Sequence, residues 1–297
     1  MEDRSGPLRR LLAGPGGAAA DLLAGLPGAD LTTLQLEVAR RRAARLRGPD
    51  VLRRYRADRF TGVAPLPFAV LRRVEDVLLD TLPAEFERVT LSPLAPLGTH
   101  SAVAGLSQHR VVSTARGTEV AADPTNGLAL EAAVRRSGRT PVRLAAVQRV
   151  VRAQRIEGAG MFAHFGLLGM VSAGRDAGGL GFEKTHLVEH ARYAVAALRA
   201  LGAGEIEFRT TVLDPAFADL VHELKDIAAV RDYPERDGGR SYYEGLCFKI
   251  CASFGAGLED VGDGGFTPWT RTLLGNAKER LLTSGLGIDR LAGLIAP

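Results

Sequence analysis

The sequence predicts an α+β fold, an antiparallel sheet flanked by helices, and three observations predict it. From about residue 51 onward, segments with apolar residues at helical spacing alternate with segments that read as strands. Two long strand-like stretches, VRLAAVQRVVRAQ and MFAHFGLLGMVSAG, are separated only by RIEGAG. So short a connection joins antiparallel neighbours, because a parallel crossover needs a dozen or more residues. The stretch SGLGIDRLAGL, residues 284–294, then turns from a Gly-rich strand into a helix.

Taken in order, residues 1–50 are rich in Ala, Leu, Arg and Gly and read as a helical N-terminal extension, clearest in LTTLQLEVARRRAARLR. Its basic face suits solvent, or else RNA or an acidic surface. The second unit, 51–297, opens with PFAVLRRVEDVLLDTL, which has helical apolar spacing. ERVTLSPLAPL follows as a strand that ends at prolines, since proline cannot donate to a sheet ladder. HRVVSTARGTEVAAD is a hairpin turning at Arg116–Gly117, and NGLALEAAVRR is a helix. After the two long strands come the helix EKTHLVEHARYAVAALRALG, a mixed segment and the strand SYYEGLCFKICASF.

Composition narrows the classes. The chain has 297 residues, 46% hydrophobic and 24% charged, the balance of an ordinary globular protein. Its formal charge of +4 permits an anionic partner without demanding one, and most of its cations are Arg. Cys247 and Cys251 share a strand face too widely spaced for a disulfide, and no Cys pair or His cluster accompanies them to make a zinc site. With no signal peptide and no apolar run long enough to span a bilayer, the sequence implies a cytoplasmic protein with no membrane partner.

The residues that carry chemistry begin with SGLGIDRLAGL. Glycines allow a tight turn and close approach to a ligand, and Arg290 at the start of a helix suits a phosphate. The plainer account has Asp289 as the helix cap and Arg290 in solvent. His186 and His190 have metal-ligand spacing on a helix, but without a third ligand they read as a packed helix face. No metal ligand set is expected. GRDAGG is read as a glycine-rich turn rather than an anion cradle.

Together these pieces resemble the three motifs of class II aminoacyl-tRNA synthetases. The likeness is to the catalytic core of histidyl-tRNA synthetase, shared by the regulatory subunit of ATP phosphoribosyltransferase. SYYEGLCFKI is similar to that family's Tyr-Tyr-Thr-Gly segment, DVGDGGFTPWTRTLLG to its Gly-Gly-Arg-Tyr-Asp segment, and GLGIDRL to motif 3. AADPTNGLALEAAVRR stands at the family's Arg-Pro-Glu-Gly-Thr turn. The resemblance spans roughly residues 55–297 and implies a six- or seven-stranded antiparallel sheet and a homodimer with motif 1 at its interface. It implies ATP and Mg2+ as cofactors. Arg152 matches the motif 2 arginine on the α-phosphate and substrate carboxylate, and Arg290 the motif 3 arginine on the γ-phosphate. Phe165 matches the adenine-stacking aromatic, and Gln154 takes the place of a motif 2 Glu. Asp123 and Thr125 fall on the turn that holds the amino group, and Tyr242 or Tyr243 lines the substrate pocket, alternation allowing one of them inward.

The departures matter equally. The imidazole-reading carboxylate is replaced by about Val171, which argues against free histidine. A motif 2 loop arginine is missing near Met161, with His164 as a possible substitute. The arginine before the double tyrosine falls at Gly238, flanked by Arg236 and Arg240, and Arg240 is taken as the substrate-binding candidate. No anticodon-binding domain follows motif 3, so tRNA is not expected as a partner. Two functions remain. One is a stand-alone ATP-dependent ligase that forms an acyl-adenylate from a small amino or carboxylic acid. The other is a catalytically silent histidyl-tRNA synthetase paralog that senses a ligand or regulates a protein partner.

Overall fold

The computed structural model describes residues 6–153, 162–237, 239–255 and 257–296. Four helices come first: α1 (Gly6–Leu12), α2 (Pro15–Ala24), α3 (Gly28–Ala43) and α4 (Gly48–Ala57). Proline near the start of α2 and α4 suits the first helical turn, where its missing N–H costs nothing. Helices α2 to α4 bury no side chain, and Leu22, Leu34, Val38, Val51 and Leu52 stay exposed. Burial begins with α5 (Phe68–Asp80), whose Val74 and Leu78 are fully enclosed.

The remaining elements are β1 (Glu87–Arg88), β2 (Leu94–Pro96), β3 (Thr118–Val120), α6 (Pro124–Arg135), β4 (Val142–Val151), β5 (His164–Arg175) and α7 (Gly181–Ala200). They continue through β6 (Ile206–Val212), α8 (Leu220–Lys225), β7 (Ala229–Asp232), β8 (Glu244–Ser253) and β9 (Leu258–Thr267). The chain closes with α9 (Trp269–Leu274), β10 (Glu279–Gly287) and α10 (Ile288–Ile295). Eight strands form one sheet in the order β1-β4-β5-β10-β9-β8-β6-β7. From β4 to β6 every neighbour is antiparallel, six strands where six or seven were expected.

Two features depart from the sequence expectation. The edge strands β1 and β7 pair in parallel with β4 and β6, so the sheet is mixed. They are two and four residues long, too short for any periodicity to show. The proline-bearing stretch 87–97 is not one strand but β1 and then β2, and β2 pairs with β3 in a separate ribbon. The turn expected at Arg116–Gly117 is present: Thr114 N–H donates to the Thr118 carbonyl and Gly117 takes a φ of 63°.

The sheet faces two cores. On one side α5, α7, α8 and α10 pack through Leu78, Leu187, Leu198, Leu224 and Leu291 against Leu168, Phe208, Phe248 and Leu286. On the other, α6 and Trp269 cover Leu144, Val171 and Leu281. This second face is only partly roofed, and the gap beyond the N-terminus of α6 is the cavity described next.

Candidate active site

The site grows from the paired strands β4 and β5, which end together at Val151 and His164. Arg152 follows directly, its backbone N–H on the Ala163 carbonyl at 2.9 Å. Its guanidinium donates to the Ala122 carbonyl and to Asp123 Oδ2, both at 3.1 Å, and lies 5.0 Å from the centre of the Phe165 ring. Asp123 is the N-cap of α6, accepting from Thr125 N–H at 2.9 Å and Thr125 Oγ1 at 2.7 Å through Oδ1. An aspartate at this position satisfies an orphan donor of the first turn. Its other oxygen is thereby left to face Arg152.

The turn that carries Asp123 and Thr125 is held from behind. His100 Nε2 accepts from Ala122 N–H at 3.1 Å, so its other nitrogen carries the proton and donates to Asn126 Oδ1 at 2.7 Å. Gly169 of β5 lets the turn settle on the sheet, since a Cβ there would lie 2.8 Å from Pro124 Cγ.

Motif 3 enters from the neighbouring strands. β10 runs into α10 through Gly287, the N-cap, which contributes no side-chain bond. Asp289 is therefore not the helix cap. It is buried and accepts from Gly166 N–H at 2.6 Å and from Arg149 at 2.9 Å, tying α10 to β5 and β4. Arg290 donates from Nη2 to Glu259 of β9 at 3.1 Å, while its Nε is buried with no acceptor among the described residues.

The opposite end is aromatic and acidic. Tyr243 donates to Asp263 Oδ1 at 2.5 Å, Arg236 donates to Oδ2 at 2.5 Å, and the Arg236 guanidinium stacks 5.2 Å from the Tyr243 ring. Tyr242 packs 4.5 Å from Tyr243 and 6.0 Å from Trp269, centre to centre. Burial pushes the Asp263 carboxyl above its ordinary range, although Arg236 pulls it back. Burial raises both tyrosine hydroxyls as well. Lys249 pairs with Asp260 on the same wall.

One cavity of about 500 Å³ joins these parts. It brings together Asp123, Thr125, Arg152, Phe165, Tyr242, Tyr243 and Arg290. Both tyrosines line it, because they precede β8 in a turn where strand alternation does not apply. Arg240 is not among the lining residues; it is exposed and donates to the Pro234 carbonyl at 3.3 Å. Gln154 and Met161 lie outside the described residues, as does Gly238. His164 is used elsewhere: it donates from Nε2 to the Gly62 carbonyl and accepts from Arg149 at Nδ1.

Sequence reasoning missed Asp263 and the buried role of Arg236. The signal for Asp263 was an acid set among glycines within GDGG, where a strand offers no other reason for a carboxylate. The remaining candidates are structural. Both nitrogens of His190 meet serine hydroxyls, Ser284 at 2.7 Å and Ser172 at 3.0 Å, and burial lowers its pKa to about 3. His186 bonds Glu189, which also holds Arg143. In GRDAGG, Asp176 accepts from Gly178 N–H and pairs with Arg280. Both cysteines are free and buried. Among the described residues no cluster of three His, Cys, Asp or Glu side chains could hold a metal, and no helix is long and apolar enough to cross a membrane.

No family model and no curated protein matches the sequence. Solved structures do match the fold. An ATP phosphoribosyltransferase regulatory subunit/histidyl-tRNA synthetase from Bacillus halodurans superposes with a TM-score of 0.62 at 14% identity, over 80% of this chain and 82% of that one. Histidyl-tRNA synthetase from Nostoc sp. gives 0.60 at 11% identity, over 80% and 74%. Pyrrolysyl-tRNA synthetase from Desulfitobacterium hafniense gives 0.51 at 17% identity, over 82% and 73%. The chain therefore has the α+β fold of a class II aminoacyl-tRNA synthetase catalytic core.

Proposed function

We propose that this protein is a stand-alone ligase that uses ATP to activate a small amino or carboxylic acid as its acyl-adenylate, for transfer to an acceptor other than tRNA. The observation that carries the proposal is the placing of Arg152 and Arg290 on one cavity, with a buried Arg290 N–H that has no acceptor among the described residues. A buried donor without a partner costs about 1–3 kcal/mol, which an anionic ligand would recover. In adenylation the carboxylate oxygen attacks the α-phosphorus and pyrophosphate leaves, so fixed cations around the phosphates are the main need. Arg152 would steady the α-phosphate and the attacking carboxylate, Arg290 the γ-phosphate, and Phe165 would offer its face to the adenine.

Magnesium takes one or two carboxylates together with phosphate oxygens. Glu259, which pairs with Arg290 although it is not a lining residue, could contribute one, and the ion's own role would be to neutralise phosphate charge. A non-tRNA acceptor is supported by the segment between motifs 2 and 3, where α7, β6, α8 and β7 all pack on the sheet rather than forming a separate domain among the described residues. We place the protein in the cytoplasm and expect a homodimer through the motif 1 region, where Phe68 of α5 is largely exposed.

A second reading is supported by the same two arginines. Each already faces a protein carboxylate, Asp123 and Glu259, as the cations of a silent regulatory subunit with a protein partner could. ATP–pyrophosphate exchange with Mg2+ across a panel of amino and carboxylic acids separates the two. Exchange with one acid, lost in Arg290→Ala, supports the ligase. Absence of exchange with every acid, together with no ATP binding by calorimetry, overturns it.

A further inference from the structure

We infer that the acid bound in this cavity carries, at the end remote from its carboxyl group, a cationic nitrogen that docks on Asp263. The inference rests on the ligase reading only for the ligand's being an acid; the docking of a cationic nitrogen rests on the cavity alone.

Asp263 stands on β9 between Gly262 and Gly264, and its cross-strand neighbour on β10 is Gly285. Gly285 in turn pairs with Gly169 on β5. Pro124 covers Gly169, whereas Gly285 and Asp263 both line the cavity, so the carboxylate faces it beside a residue without a side chain. The carboxylate is aimed and held: Tyr243 binds one oxygen and Arg236 the other. A carboxylate offers about four lone-pair sites, so each oxygen keeps one for a ligand. A little over a third of the side chain, 37%, remains open.

The surroundings favour nitrogen over other donors. Lys249 is the cross-strand neighbour of Asp263 on β8, yet its ammonium is paired with Asp260. Tyr242, Tyr243 and Trp269 bring aromatic rings to the same end of the cavity, and aromatic faces attract cations. Burial leaves the Asp263 carboxyl above its ordinary range although Arg236 and Lys249 lower it, so a further cation beside it would favour its charged form. The opposite end, with Arg152 and Arg290, is where a carboxylate and phosphates belong. Cations that follow β4 and β10 and a carboxylate within β9 thus line one cavity, and an acid with a basic tail can meet both.

The test uses the full-length protein and a matched series of free amino acids: ornithine, lysine, arginine and histidine against norvaline, norleucine and glutamate. Binding is measured by calorimetry without ATP, and pyrophosphate exchange is measured in parallel. At least one basic acid should bind about tenfold or more tighter than its apolar isostere, the worth of a charge-assisted hydrogen bond. Asp263→Asn should erase that preference. Because Asn leaves Arg236 facing a neutral partner, its melting temperature is recorded as well. Asp263→Glu supplies the second variant: it keeps a carboxylate at this position and should retain part of the preference that Asp263→Asn loses. The inference is overturned if no basic acid is preferred by the wild-type protein, or if the preference survives in a folded Asp263→Asn protein. Exchange driven by apolar acids alone would sink this inference and leave the ligase reading standing. Asp263-dependent binding of a basic acid with no exchange would do the reverse.

Discussion

Asp289 offers the sharpest test of how the site is built. Its carboxylate is buried and accepts from two donors, Gly166 N–H at 2.6 Å and Arg149 Nη2 at 2.9 Å. Replacing it with alanine strands a buried backbone N–H, at a cost of about 1–3 kcal/mol. Arg149 is 40% exposed, so water takes up most of what it loses and its share is discounted to about 0.5 kcal/mol. The sum is roughly 1.5–3.5 kcal/mol. At about 2–4 °C per kcal/mol for a chain of this size, Asp289→Ala should lower Tm by about 3–14 °C. Asp289→Asn keeps an oxygen for Gly166 N–H and should lose less than half as much. Asp76→Ala, at the exposed end of the Arg72–Asp76 pair, should shift Tm by under about 1–2 °C. Thermal melts followed by circular dichroism would measure all three. If Asp289→Ala melted with the wild type, or if Asn and Ala were equally damaging, the assignment of Asp289 as the tie between α10 and β5 would be refuted.

Three further outcomes follow from the geometry. Arg290→Ala should leave Tm within about 2 °C, because its pair with Glu259 is half exposed, yet reduce pyrophosphate exchange by about 100-fold or more; a parallel loss of both would mean that Arg290 is structural. Gly169→Ala should cost about 1–3 kcal/mol in urea melts by forcing a methyl group against Pro124, and an unchanged midpoint would show the turn free to move. His190 is held neutral, with a folded-state pKa of about 3 against an ordinary value near 6.5. The unfolded chain therefore binds a proton that the folded one refuses, and the resulting stability is complete above about pH 6.5 and is lost as pH falls toward 3. The slope is about 1.4 kcal/mol per pH unit from this one group. It should be missing from His190→Gln and so appear in the difference between wild type and variant in urea melts at stepped pH; equal slopes would refute the burial argument.

The central sheet was legible because its strands are long. Val142–Val151 and His164–Arg175 run ten and twelve residues, enough for pattern and connection length to agree. The edge strands were not legible, since two and four residues carry no period and parallel pairing at an edge is set by the helix that delivers them. Within the site, residues fixed by local chemistry could be found: Asp123 caps the helix that its own turn begins. Residues fixed by distant partners could not. Arg236 and Asp263 are 27 positions apart and meet only once β8 and β9 pair, while Asp289 looked like a cap until Gly166 and Arg149 reached it from other strands.

The two arginines are poised by weak bonds. The Arg152–Asp123 contact is 36% and 30% exposed, and the Arg290–Glu259 contact 37% and 50%. Partly solvated pairs of this kind contribute about 0–1 kcal/mol. That is enough to orient a guanidinium and too little to hold it against a triphosphate, whose charge-assisted bonds are roughly twice as strong as neutral ones. The stronger ties lie beside the guanidiniums: the buried Asp289 fixes the turn before Arg290, and Arg152's own backbone N–H is held by the Ala163 carbonyl. A rigid backbone beneath loosely paired cations is what an exchange of protein carboxylate for phosphate requires. Arg152, Asp123 and Arg290 all line the cavity, so both guanidiniums face the space a ligand would fill.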